Sequence, residues 1–356
     1  MRILVAADKF KGSLSAWEAC AAIAGGLRVA FPAAEVAQSP IADGGEGTMT
    51  LLSELLDAEL VEARVSGPLG DAVVARYGMA GRRAILEMSA ASGLLLVPQG
   101  KLDPWGASTF GTGEMIMDAL RRGANEVIIG IGGSATNDGG RGMAEALGYG
   151  FAIDPDRGAL RITRPAVSPA EQAIFQVACD VSNPLLGELG CTRVYGPQKG
   201  LGPGDLARHE QRLAELAEAV SLDLTPIPCN SPGAGAAGGL GFGLMAFCGA
   251  ELRPGFDLIA ELSGLEAEIA RADLVITGEG SMDAQTLMGK GPAGVAEMAR
   301  SAGARVIALC GIARDREALG RRFDEVISLE SLTDSREESM DCARELLEKA
   351  AAGLKI

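Results

Sequence analysis

Histidine is nearly absent, with His209 the single one in 356 residues. With one imidazole and no C-x-x-C pair among the seven cysteines, a structural zinc site lacks ligands at workable spacing. A Ser-His-Asp relay is disfavoured on the same ground, and Cys179 reads as structural because no nearby imidazole would activate it. The cysteines are odd in number and dispersed, as expected of reduced thiols in a cytoplasm. Positive charge is also in short supply. Lys and Arg total 32 against 47 Asp and Glu, a net charge of −15, so a basic nucleic-acid-binding face is not expected. An anionic substrate would need a local cationic pocket. Long apolar runs are missing too. The first one ends at Asp8, too short for a signal peptide. The longest uncharged stretch, residues 224–250, holds three prolines and seven glycines, and reads as a loop followed by a buried helix, not a membrane span.

Glycine is what the chain has in excess: 49 residues, about twice the usual share of roughly 7%. The glycines cluster without a fixed period, which fits loops where backbone approaches a ligand closely. The length suggests about two domains. Residues 3–7 read as a strand, and Ser15 with Glu18 forms a capping box that opens a helix. Residues 35–40, 274–277, 306–309 and 325–329 continue as strands alternating with helices, the rhythm of a parallel sheet, and the flavodoxin-like order 2-1-3-4-5 suits them. Between them, residues 61–66, 72–78 and 84–88 are close-spaced strands of antiparallel character, with further strands at 126–131 and 175–179. The fold class is therefore α/β with two domains. A discontinuous flavodoxin-like domain covers 1–58 plus 255–356, and a mixed α/β domain is inserted at 59–254.

The strongest local signal is VIIGIGGSATNDGG, residues 127–140. A strand runs into glycines and hydroxyls, then into a helix from about Arg141. Backbone N–H groups in such a turn bind anions, and Ser134 and Thr136 add hydroxyl donors. The plainer reading is a tight strand–helix turn. The stretch also fits G-x-G-x-x-A, with Asp154 about 20 residues on, where a ribose-binding acid is expected. Asp154, however, sits in Ile153-Asp154-Pro155-Asp156, which reads as a turn. Carboxylates in TGEGSMD, residues 277–283, lie at the carboxyl end of a strand, where open sheets bind ligands. Gly289-Lys290-Gly291 is not a Walker A loop. ADGGEG at 42–47 and Asp8-Lys9-x-Lys11 end adjacent strands. Their lysines suit a carboxylate or phosphate, and their carboxylates suit Mg²⁺. Asp180 follows a buried-looking strand and is a candidate base. Gln198 and Lys199 sit in a Pro/Gly turn. His209 lies on an acidic amphipathic helix, residues 205–220, and is expected at the surface. GAGAAGGLG, residues 233–241, is either a close-packing helix segment or a phosphate-facing turn.

Eight segments also match one family, in order and over nearly the whole chain. They are DKFKGSLSA (8–16), ADGGEGT (42–48), TFGTGE (109–114), GIGGSATNDGG (130–140), CDVSNPL (179–185), YGPQKG (195–200), GAGAAGGLG (233–241) and ITGEGSMDAQTLMGKGP (276–292). The chain resembles the bacterial glycerate kinases of type I. Lys9 stands where the family form D-x-F-K-G-S carries Ser, which shifts weight to Lys11. The resemblance implies ATP-dependent phosphorylation of D-glycerate with Mg²⁺, in an interdomain cleft of a cytoplasmic enzyme. The product implied is 2-phosphoglycerate, with 3-phosphoglycerate the alternative. It also implies that the inserted domain has a restriction-endonuclease-like sheet. Partners are the small-molecule substrate and, for a homodimer, a second copy of the chain, with no nucleic acid and no membrane.

On this reading the ATP phosphates lie at Gly132, Gly133, Ser134, Thr136 and Asn137. Lys11 neutralises the transferring phosphoryl group or the glycerate carboxylate, and Asp8 is a further catalytic candidate beside it. Asp43, Glu46 and Asp283 hold Mg²⁺. Asp180 orients and deprotonates the attacking hydroxyl. Lys9, Ser13, Asn183, Gln198, Lys199 and Lys290 complete the substrate contacts. Two other classes stand beside it. One is a metabolite-binding regulator without turnover; the other is a nicotinamide oxidoreductase resting on the G-x-G-x-x-A match.

Overall fold

The computed structural model describes the chain except Asp43, Glu46, residues 284–285 and 287–290, Asp334 and Ile356, and describes only the backbone at Pro169 and Arg336. The chain packs as two compact units: Met1–Asp43 with Phe256–Ile356, and Gly44–Gly255. Among the described residues the strands, in chain order, are β1 (Arg2–Ala7), β2 (Glu35–Gln38), β3 (Glu59–Ser66), β4 (Ala72–Ala80), β5 (Arg83–Glu87), β6 (Glu126–Gly130), β7 (Gly150–Asp154), β8 (Ala159–Thr163), β9 (Ile174–Ala178), β10 (Glu251–Arg253), β11 (Leu274–Met282), β12 (Arg305–Ala313) and β13 (Glu325–Ser328).

The first unit is built on a parallel sheet of order β13-β12-β11-β1-β2. Counted by sequence within that sheet, the order is 2-1-3-4-5, the flavodoxin-like arrangement. The reason is visible in β1, where every residue from Ile3 to Ala7 is buried. A strand covered on both faces has no need of polar alternation. Successive side chains still point to opposite faces. Ile3, Val5 and Ala7 enter one core with Ile23 and Leu27 of the helix Ala16–Ala30 and with Leu347 of the helix Ala343–Ala352. Leu4 and Ala6 enter the other, with Val295 and Ala299 of the helix Pro292–Ser301. The expected capping box is present. The Ser15 N–H donates to Glu18 Oε2 at 2.9 Å, and the Glu18 N–H donates to Ser15 Oγ at 3.3 Å, an arrangement that stabilises a helix start by about 1 kcal/mol.

The second unit carries a mixed sheet of order β10-β9-β6-β5-β4-β3. β3, β4 and β5 pair antiparallel, as their close spacing led one to expect, while β5, β6, β9 and β10 run parallel. Val127 and Ile129 of β6 and Phe175 and Val177 of β9 form its core with Leu240 and Leu244 of the helix Ala236–Cys248. The helix Thr48–Leu55 packs on β4 and β5, and its Met49 N–H donates to Glu87 Oε1 at 2.8 Å. The β7–β8 hairpin and the three-residue β10 were not legible beforehand. Both are short, and neither has a clean alternation of buried and exposed positions. Among the described residues no helix is long and apolar enough to cross a membrane.

Candidate functional site

In the second unit the loops after β5, β6 and β9 leave the same carboxyl edge of the sheet, where open α/β sheets bind ligands. After β6 the chain exposes the backbone of Gly132 and Gly133, then buries Ser134, Thr136 and Asn137. The turn is pinned from outside: the Leu94 N–H donates to the Gly133 carbonyl at 2.8 Å, and the Ala135 N–H donates to the Ser92 carbonyl at 3.0 Å. The Gly44–Gly45 backbone runs alongside Gly130 and Gly132. After β9, the half-buried Asp180 accepts the Gly255 N–H on Oδ1 at 2.8 Å.

Lys199 lies behind this turn at 2% exposure. Its amine donates to Ser134 Oγ at 2.7 Å and to the Thr136 carbonyl at 2.6 Å. Burial pulls the amine down to about 8, opposed in part by Cys191 and Asp138. Asp138 closes the far side of the turn. One of its oxygens accepts the Thr109 N–H and hydroxyl, both at 2.8 Å, and the other accepts the Gly140 N–H at 3.1 Å. It thereby joins the starts of the helices Phe110–Arg121 and Arg141–Ala146. Asn183 and Gln198 sit apart from these contacts. The Asn183 side chain is engaged by Tyr195 Oη at 2.8 Å and the Leu189 carbonyl at 2.9 Å, and Gln198 is exposed.

His209 is not at the surface. It is 1% exposed, its ring centroid is 3.9 Å from that of Trp105, and its Nδ1 is 3.3 Å from Asn137 Nδ2. The sequence held the signal. On the helix Leu206–Asp223, His209 falls on the stripe of Leu213, Leu216 and Val220, all buried. Burial, then Arg212, push the ring down to about 4 from its usual 6.5, with Arg208 adding to the fall and Asp205 and Asp103 opposing it. The unfolded chain therefore takes up a proton between pH 6.5 and about 4 that the folded one refuses. Stability contributed by the neutral ring is present above pH 6.5 and is lost as pH falls toward 4. Replacing His209 with Gln is expected to flatten the dependence of Tm on pH in that window. An unchanged slope would assign the acid sensitivity to other groups.

The 233–241 segment resolves its two readings by burial. Ala237, Gly238 and Gly239 all have left-handed backbone, at φ of 53°, 68° and 87°. This turn packs against the 136–140 backbone, and the Gly139 N–H donates to the Gly238 carbonyl at 3.0 Å. The missing side chains make room for neighbouring backbone. Asp154 is likewise occupied locally, accepting the Asp156 and Arg157 N–H groups at 2.9 and 3.2 Å at the end of β7. Those bonds, that from Arg157 foremost, hold its carboxyl below the usual range. A carboxylate engaged in its own hairpin turn does not read a ribose, so the dinucleotide fingerprint has no support.

In the first unit, Asp8 follows β1 at 4% exposure, with Lys9 Nζ 3.9 Å from its Oδ1. Lys11 is exposed, and Ser13 is half-buried in a turn whose N–H donates to the Phe10 carbonyl. On the adjacent β11, Glu279 Oε1 accepts the Thr286 hydroxyl at 2.6 Å, and that hydroxyl oxygen accepts the Asp283 N–H at 3.1 Å. The carboxyl edge of this sheet therefore presents oxygen donors, of the kind Mg²⁺ prefers. Among the described residues no group of three His, Cys, Asp or Glu could hold a metal ion on its own. The expected ligands Asp43 and Glu46, and the expected substrate contact Lys290, lie outside the described residues.

An open parallel sheet edged with carboxylates and lysines, and a glycine-rich turn after β6 in a chain with no Walker A sequence, are compatible with an α/β kinase. A model of the glycerate kinase family matches residues 3–355, and the chain belongs to that family. It is 43% identical to a glycerate kinase of Halalkalibacterium halodurans, over 99% of this chain and 97% of that protein. It is 44% identical to the glycerate 2-kinase of Escherichia coli, over 88% of this chain and 86% of the other. A crystal structure described as glycerate kinase 2 of Salmonella typhimurium LT2 superposes at a TM-score of 0.86, with 39% identity, covering 99% of this chain and 97% of that one.

Proposed function

We propose that the protein transfers the γ-phosphoryl group of ATP to D-glycerate, giving 2-phosphoglycerate, with Mg²⁺ bound. The observation that carries this reading is the turn after β6, where exposed Gly132 and Gly133 backbone stands beside a Ser134 hydroxyl held from behind by a buried lysine. Such a turn offers N–H and O–H donors to phosphate oxygens, and phosphoryl transfer asks chiefly for positioning and charge neutralisation. Gly132, Gly133 and Ser134 bind the nucleotide phosphates. Thr136 and Asn137, both buried, keep the turn in shape; Asn137 Nδ2 donates to Thr192 Oγ1 at 3.0 Å.

Asp180 accepts the proton of the attacking hydroxyl, its carboxylate aimed by the Gly255 N–H. The exposed Lys11 ammonium pairs with the glycerate carboxylate or the moving phosphoryl group, with Asp8 and Lys9 beside it. Asp283, with Asp43 and Glu46, would hold Mg²⁺, which when bound neutralises charge building on the phosphate oxygens. Seven cysteines dispersed along the chain suit a reducing cytoplasm.

A coupled assay of ADP release is the direct test. Release should require D-glycerate together with ATP and a divalent cation, and phosphorus NMR of the product should show the phosphate coupled to the single C2 proton. Coupling to two C3 protons would make the product 3-phosphoglycerate. ADP release indifferent to D-glycerate would remove the proposal, and ligand binding with no turnover would favour a metabolite-binding regulator.

A further inference from the structure

We propose that Lys199 is a positioning residue that sets the direction of the Ser134 hydroxyl, making it a committed donor to a phosphate at Gly132 and Gly133. This rests on the reading above, in which nucleotide phosphates occupy that turn. An ammonium has three donors and no acceptor. Ser134 Oγ, 2.7 Å from Lys199 Nζ, must therefore accept from it, and the hydroxyl's own proton is excluded from that direction. Lys199 thus fixes where the Ser134 proton cannot go, while its second bond, to the Thr136 carbonyl at 2.6 Å, fixes the turn's backbone.

Charge points the same way. The amine is 2% exposed, and both of its hydrogen-bond partners are neutral oxygens. A buried charge met only by neutral acceptors is costly, and such charges are ordinarily paired. Asp138 offsets that cost only in part, and a phosphate held on the exposed side of the same turn adds further negative charge. Burial also lowers the amine to about 8, which leaves it the donor near neutral pH. The ionisable groups facing it are Cys191 and Asp138. Direct contact with substrate is not needed for any of this; the lysine acts through Ser134.

The test is a double-mutant cycle on kcat and on the KM for ATP and for D-glycerate. Lys199→Met and Ser134→Ala are each expected to raise the KM for ATP by about tenfold, and the double variant by no more than about twofold beyond Ser134→Ala. Losses that multiply would show that Lys199 acts independently, which overturns the proposal. If Ser134→Ala raises the KM for ATP and Lys199→Met does not, the positioning role fails while the phosphate turn stands. If neither changes it, the phosphate turn itself is misplaced. A measurement on the unaltered protein covers a Lys199→Met variant that fails to fold. The Lys199 Nζ titration followed by nitrogen NMR is expected to move upward by about one pH unit when ADP is added. A titration that ADP leaves in place overturns the proposal.

Discussion

Replacing Asp180 with Asn is expected to lower kcat by about 10²–10⁴-fold, the usual contribution of a positioned general base, while leaving the KM for ATP within about threefold. The substitution is informative because it separates proton acceptance from architecture. Asn keeps an Oδ1 able to accept the Gly255 N–H, the 2.8 Å bond that aims the side chain. The Gly255 N–H therefore keeps its acceptor, and the thermal midpoint should move little. What disappears is the negative charge and the capacity to take a proton that the proposed mechanism assigns to this carboxylate. Steady-state kinetics on purified variants checks this. A variant retaining more than about a fifth of kcat would show that the hydroxyl reaches the phosphorus without help from this carboxylate.

Gly238→Ala should cost about 2–5 kcal/mol of stability and at least tenfold in activity. Two penalties add. At φ of 68° an alanine pays about 1–2 kcal/mol for left-handed backbone. Its Cβ would also fall on the Thr136 carbonyl oxygen, and relieving such overpacking typically costs about 1–3 kcal/mol. That oxygen is the one bonded to Lys199 Nζ, so the distortion is delivered to the turn proposed to hold phosphate. The neighbouring Ala237 is already left-handed at φ of 53°, which leaves the segment little freedom to absorb a second strained residue. Urea unfolding gives the first quantity and the coupled assay the second. A loss below about 1 kcal/mol would mean that the two backbones separate easily, against the tight crossing seen here.

Much of this protein follows from its sequence alone. Strands alternating with helices pointed to a parallel sheet, and the order 2-1-3-4-5 that suited them is the one observed. The capping box marked the first helix start, and eight ordered motifs gave the family. Those are local signals, or signals that survive without knowing which segments meet. The tertiary structure decided the rest. His209 changed from surface to core because Trp105, about a hundred residues earlier in the chain, packs against it at a tilt. Lys199 changed from a substrate contact to a buried tether because Ser134 and Thr136 fold over its amine. A glycine records only that a side chain is missing. Whether the gap admits a phosphate, as proposed at Gly132, or another stretch of backbone, as at Gly238, depends on what the fold brings opposite it.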